Sequence, residues 1–210
     1  MKVLQQNRIL SVLIIIWYSA GIVGFLIPAV KPSFQQLTPA GVVMAAFMLL
    51  FFHEPRNLKS ALAFTGIILI TFLAEMIGVN TQRLFGHYMY GPALGPQLRN
   101  TPLVIGLNWL VLVYCFSVLL KNLTRYWYYP LAGAAAMTVF DFLMEPVANA
   151  TGMWTWHGGV IPLKNYTDWF LLSALLFLAL RIGKVEFNNR FASLILLMQV
   201  IFFAVLNLLI

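Results

Sequence analysis

Residues 141–169 read DFLMEPVANATGMWTWHGGVIPLKNYTDW: an apolar helical run ending in acidic groups, an aromatic loop, and the start of a second apolar helix. Much of this pattern occurs earlier, in residues 75–109, EMIGVNTQRLFGHYMYGPALGPQLRNTPLVIGLNW. Asp141 precedes Gly152, Trp154 and Trp156 at the spacings at which Glu75 precedes Gly86, Tyr88 and Tyr90. Each copy closes on Pro-Leu, four further residues, Asn or Asp, and Trp. These are Pro102, Leu103, Asn108 and Trp109, then Pro162, Leu163, Asp168 and Trp169, and the first copy's loop is six residues longer. Each copy leads from an apolar run through a loop into a returning one. The chain therefore reads as two parallel helix-hairpin repeats, about 60–120 and 127–182, related by an axis along the membrane normal.

The surrounding composition carries the same reading. With 61% of 210 residues hydrophobic and 9% charged, an ordinary soluble domain is excluded. A helix crosses a bilayer with about 20 apolar residues. Seven such runs are present, roughly 9–30, 37–52, 60–78, 102–120, 127–146, 166–182 and 191–210. The expected fold is an all-α polytopic membrane protein, a single integral domain over 1–210. The net charge of +7 does not mark a nucleic-acid binder, because the basic residues are spread over short loops. They report orientation instead. With the N-terminus cytoplasmic in the cell membrane, the inner segments hold Lys2, Arg8, Arg56, Lys59, Lys121, Arg125, Arg181, Lys184 and Arg190. The outer ones hold Lys31, Arg83, Arg99 and Lys164, so nine of thirteen lie inside, as the positive-inside rule requires. Both aromatic loops then face outward. Lys2 and Arg8 before an apolar run resemble a signal peptide, but the run is long and lacks a small-x-small cleavage site, so it reads as helix one. Cys115 is the lone cysteine, which leaves neither a disulfide nor a cysteine metal site.

Four of the six acidic residues, Glu75, Asp141, Glu145 and Asp168, fall near the outer ends of three helices. Asp141 lies thirteen residues beyond Tyr128, about 20 Å along a helix axis. Glu145, at i+4, shares its face, and Pro146 weakens the backbone where helix five is expected to end. Ionisable groups in membrane spans are costly and usually functional. Two readings stand: a catalytic cluster, or carboxylates that cap loops and pair with Arg83, Arg99 and Lys164. The repeat predicts Glu75 and Asp141 facing each other across a shared cavity. Elsewhere, Lys31-Pro32-Ser33 reads as a turn before a short helix two, His53-Glu54-Pro55-Arg56 as a solvated helix boundary, and Ala132–Ala136 as a small-residue patch for close helix approach.

Over residues 70–170 the chain resembles a known family. The resemblance is carried by Glu75-Met-Ile-Gly78, Phe85-Gly86-x-Tyr88-x-Tyr90, Leu94-Gly95-Pro96 to Pro102 and Trp109, and Asp141 with Glu145-Pro146. It continues through Gly152-x-Trp154-x-Trp156 and Ile161-Pro162-Leu163-x-Asn165-Tyr166-x-x-Trp169. The family is that of the membrane carotenoid biosynthesis proteins, which includes bisanhydrobacterioruberin hydratase and the acyclic carotenoid 1,2-hydratases. Glu145-Pro146 stands where an Asp-Pro pair is more usual, and Tyr166 and Asp168 where a Phe and a Gly are, which bears on substrate choice. The resemblance implies a hydro-lyase that adds water to the terminal double bond of an acyclic end group, giving a tertiary alcohol without a cofactor or metal. Its partners would be a lipophilic carotenoid, membrane lipid and other carotenoid biosynthesis enzymes. The chemistry would be protonation of the alkene by an uncharged carboxyl, a form favoured by burial, with aromatic faces shielding the cation and a second carboxylate activating water. Asp141, Glu145 and Glu75 are the expected catalytic groups. Tyr88, Tyr90, Trp109, Trp154, Trp156, Asn165 and Asp168 are the expected substrate-binding groups. Three alternatives stay open: an end-group cyclase beginning with the same protonation, a prenyltransferase suggested by Asp141-x-x-x-Glu145, and a transporter lined by the acids. A retinal receptor is excluded, since residues 191–210 hold no lysine.

Overall fold

The computed structural model describes the backbone of residues 2–210 and side chains from Asn7 onward. Among the described residues, seven α-helices form a membrane bundle: α1 (Lys2–Leu26), α2 (Lys31–Phe51), α3 (Leu58–Thr81), α4 (Ile105–Leu119), α5 (Tyr129–Ala150), α6 (Leu163–Ile182) and α7 (Ala192–Leu209). Five of them, α1, α2, α3, α5 and α7, are long and apolar enough to cross a membrane. Four short strands lie at one end, β1 (Tyr88–Tyr90), β2 (Gln97–Leu98), β3 (Thr101–Pro102) and β4 (Trp154–Trp156).

The helix boundaries differ from the sequence reading at two prolines. Helix two begins at Lys31, with Pro32 inside its first turn, where the missing N–H has no intrahelical partner to lose. The turn is Ile27–Val30, and helix two has a full 21 residues instead of being short. Helix five continues through Pro146 to Ala150, since neighbouring structure in a membrane bundle compensates the one lost hydrogen bond.

Helix α4 is the centre. Every side chain from Trp109 to Ser117 is buried, as expected of a helix that is apolar all round, and α2, α3, α5, α6 and α7 pack around it. The small-residue patch on α5 receives α6: a Cβ at Gly133 would meet the Phe177 ring. The connections segregate into two sets. At one end Glu54 bridges Asn188, the Arg181 Nε donates to Thr124 O at 3.3 Å, and Lys59 Nζ reaches Lys184 O at 3.5 Å. At the other, Lys31 Nζ donates to Ala150 O and Gln35 Nε2 to Thr151 O, beside the strands. The loops read as inner thus lie together and the aromatic loops lie together. His53 is not a solvated boundary residue. It is 3% exposed, shares a 2.7 Å hydrogen bond between its Nδ1 and Tyr114 Oη, and lies among Phe64 and Phe187. Burial holds its pKa below the ordinary histidine value.

Candidate active site

The two aromatic triplets pair with each other. Strands β1 and β4 run antiparallel, with Tyr88 opposite Trp156, Met89 opposite Thr155 and Tyr90 opposite Trp154. Two flanking bonds extend the ladder, His157 N–H to His87 O and Gly91 N–H to Met153 O, each 2.9 Å. The register is symmetric about the Met89–Thr155 pair, so each triplet meets the other as its equivalent meets it. Gly86 and Gly152, which open the triplets, have φ of +122° and +72°, conformations that a Cβ disfavours. Alternation along a strand sends residues i and i+2 to one face. Tyr88, Tyr90, Trp154 and Trp156 therefore all point into the bundle, while Met89 is exposed.

That face supplies hydrogen-bond donors to two buried carboxyls. Glu75, on α3, accepts from Tyr88 Oη at 2.6 Å and Tyr90 Oη at 2.7 Å on one oxygen, and from Trp109 Nε1 at 2.9 Å on the other. Glu145, on α5, accepts from Trp154 Nε1 at 2.9 Å and Trp156 Nε1 at 2.7 Å on one oxygen, and from Asn165 Nδ2 at 3.1 Å on the other. Each receives three bonds, which is what makes carboxylate burial tolerable. The tyrosine hydroxyls are held well above their ordinary pKa, first by burial and then by the charge of Glu75, so they remain donors. Trp109 and Trp169, the closing tryptophans of the two copies, stack with ring centroids 4.0 Å apart and planes at 22°.

A small cavity of ≈20 Å³ lies between the two glutamates, walled by Tyr88, Tyr90, Trp154, Trp156, Asn165 and Trp169 among others. One water needs roughly 10–15 Å³ on this measure. Adjoining it is an apolar chamber of ≈350 Å³ between α1, α2, α4 and α7, and the two spaces share Ile105, Asn108, Met144 and Trp154 as common wall.

The cavity pairs Glu75 with Glu145 and not, as the repeat spacing predicts, with Asp141. Asp141 is fully buried one helical turn away. Its Oδ2 accepts from the same Asn165 Nδ2, at 2.7 Å, and its Oδ1 has no partner. Asp168 stands apart from both spaces: its Oδ2 accepts the Phe85 N–H at 2.6 Å and pairs with Lys164 at 2.8 Å. That is a loop anchor of the kind anticipated for an acid beside a basic partner. Phe85, Ile105, Asn108, Met144 and Trp169 line the cavity without having been singled out as site residues. Asn108 and Trp169 are members of the closing motif, which was the signal available for them.

Comparison with known proteins places these features in context. The sequence model of a family described as "Carotenoid biosynthesis protein" matches residues 37–210. The bisanhydrobacterioruberin hydratase of Haloarcula japonica is 26% identical over 140 residues, 60% of this chain and 46% of that protein. The chain thus spans about half the length of the curated relative it matches. No solved structure matches.

Proposed function

Because the chain belongs to the carotenoid biosynthesis protein family, we propose that it is a membrane hydratase acting on the terminal double bond of an acyclic carotenoid end group. One observation carries the reading: an apolar chamber ends on a space with room for a single water between two carboxyls. The chamber suits an uncharged hydrocarbon. The small cavity suits the second reactant, and this favours hydration over cyclisation, in which the cation loses a proton and no water is bound. The relative's name, a hydratase, agrees.

In this reading Glu145 delivers the proton. Glu145 and Asp141 share the Asn165 amide, and two carboxyls so close hold one negative charge between them more readily than two. The proton moves from Glu145 to the less substituted carbon of the terminal double bond, forming a C–H bond as the π bond breaks, and the charge develops on the more substituted carbon as a tertiary cation. The faces of Trp154, Trp156 and Tyr88 shield that cation. Water bonded near Glu75 supplies the lone pair for the new C–O bond, and Glu75 takes the water's proton. The hydroxyls of Tyr88 and Tyr90, which both donate and accept, pass it to the next water in the cavity they line, and that water returns it to Glu145 across the space the two carboxyls share. The sum is one alkene plus one water giving one tertiary alcohol, with no electron transferred. Asp141 acts through Glu145 and Asn165 instead of touching substrate, and Asp168 holds the loop.

The test is expression in a lycopene-producing bacterium, followed by anaerobic incubation of membranes in heavy-oxygen water. A product heavier by one water and carrying the solvent label is expected. An isomer of unchanged mass would replace hydration by cyclisation, and label drawn from dioxygen would make the protein an oxygenase. The same reading sets the N-terminus in the cytoplasm and the aromatic loops outside the cell membrane. Reporter fusions after Gly91 and Gly158 would both report the outer side, and cytoplasmic signals from both would invert the orientation.

A further inference from the structure

The 350 Å³ chamber is open at its side. Trp17 and Ala20 of α1 and Leu37 of α2 belong to its lining, yet Trp17 and Leu37 are 37% and 46% exposed on the outside of the bundle. The opening therefore lies between α1 and α2, on the surface that faces lipid, and not among the loops, where the β1–β4 ladder covers the acids. Outside it a shallow apolar groove of ≈530 Å³ follows α1 from Ile15 to Ile27. Twelve residues of helix make this groove about 18 Å long. Groove and chamber have two lining residues in common, Ala20 and Phe34. The Phe34 ring is seated on Gly24, where any Cβ would run into it, so one aromatic side chain forms the partition between them.

We infer that groove, partition and chamber form one binding track: a lateral port that admits a long polyene from the bilayer, its end group passing Phe34 toward Glu145 while the remaining chain lies along α1. The inference rests on the reading of the site as acting on a carotenoid end group. Its own support is continuity and size. A chamber of ≈350 Å³ is at the lower end of pockets that enclose drug-sized ligands, about 300–1,000 Å³. A chain comparable to the roughly 30 Å hydrocarbon core cannot be contained in it. The excess must lie on an apolar surface joined to the chamber, and the α1 groove is such a surface. A hydrocarbon that partitions into the bilayer has no reason to cross the polar face to reach its enzyme.

Cysteine labelling in membranes tests this, because the native Cys115 is fully buried. Leu37→Cys places a thiol at the mouth. Val43→Cys places one on the same helix with similar exposure, 47%, away from both spaces. Added lycopene should slow maleimide labelling of Leu37→Cys several-fold and leave Val43→Cys unaffected. Labelling of Leu37→Cys with a bulky maleimide should lower its hydration rate at least tenfold relative to the same variant unlabelled, while labelled Val43→Cys keeps its rate. Equal labelling with and without lycopene, together with full turnover by labelled Leu37→Cys, would overturn the port and leave hydration standing. Protection at Leu37→Cys with no hydrated product from the unmodified enzyme would support the port and sink the hydratase reading.

Discussion

The two carboxyl nests have the same number of donors and different kinds. Glu75 is held by two tyrosine hydroxyls and an indole; Glu145 by two indoles and an amide. An indole or amide N–H only donates, whereas a hydroxyl both donates and accepts and so passes a proton on. Glu75 therefore sits in a nest that can relay protons. Glu145 sits in one that cannot, and in the proposed mechanism it shares a proton with Asp141, which accepts from the same Asn165 amide. A near-symmetric frame with one tyrosine pair and one tryptophan pair thus distinguishes two acids that the motif spacing treats alike.

The largest effect expected from breaking this comparison is at the acids themselves. Glu145→Gln should lower hydration by about 10³-fold, within the range of general acid catalysis, Glu75→Gln by about 10²-fold, and Asp141→Asn by about tenfold, with membrane insertion retained. Rates in purified membranes check this. If Asp141→Asn is the most damaging and Glu145→Gln nearly neutral, the proton leaves from Asp141, and the cavity geometry has misassigned the donor.

The donors come next. Trp154→Phe and Tyr88→Phe each remove one bond to a buried carboxyl. The cost should be about 1.5–3 kcal/mol of stability for Tyr88→Phe, the worth of a hydrogen bond to a charged group, and about 0.5–1.5 kcal/mol for Trp154→Phe, whose partner Glu145 holds the proton. Melting in detergent measures this. The rate should separate the two variants, since Tyr88→Phe also interrupts the relay and should slow turnover more than Trp154→Phe. Equal slowing by both would remove the distinction between relay and cradle.

The smallest effect is a pH response confined to one nest. The Tyr88 and Tyr90 pKa values are raised in the folded protein, so their contribution is fully present below the unfolded value of about 10. It is lost as pH rises above 10 toward the raised values, by about 1.4 kcal/mol per pH unit for each tyrosine. The Glu145 nest has no titrating donor and adds no such slope. Melting temperatures at pH 9, 10 and 11 should fall for the native chain and fall less for the Tyr88→Phe, Tyr90→Phe double variant. Identical slopes would show that alkaline loss arises elsewhere.

Much of this site was legible in the sequence because its signals are local. Glu75 and Glu145 stand out as charges in apolar helices, the tyrosine and tryptophan triplets alternate with period two, and Trp109 closes a motif. Asn165 was visible as part of the second motif, but its task of bridging Asp141 and Glu145 was not, since a carboxamide looks the same whether it caps a helix or joins two acids. His53 was misread because proline and charge beside it imitate an exposed end; its burial depends on Tyr114, sixty-one residues away.

The sequence by itself determined the helices, their number, the segregation of their connections to two ends and the set of residues from which a site could be built. Apolar length and basic residues between spans act on neighbouring atoms, so each can be read where it stands. Which acid meets the cavity was decided by tertiary structure alone. Helix α5 continues past Pro146, and the antiparallel register brings Trp154 and Trp156 onto Glu145. Asp141 is left one turn deeper, because hydrogen bonds between distant segments depend on where strands and helices finally pack and not on how far apart their residues lie in the chain.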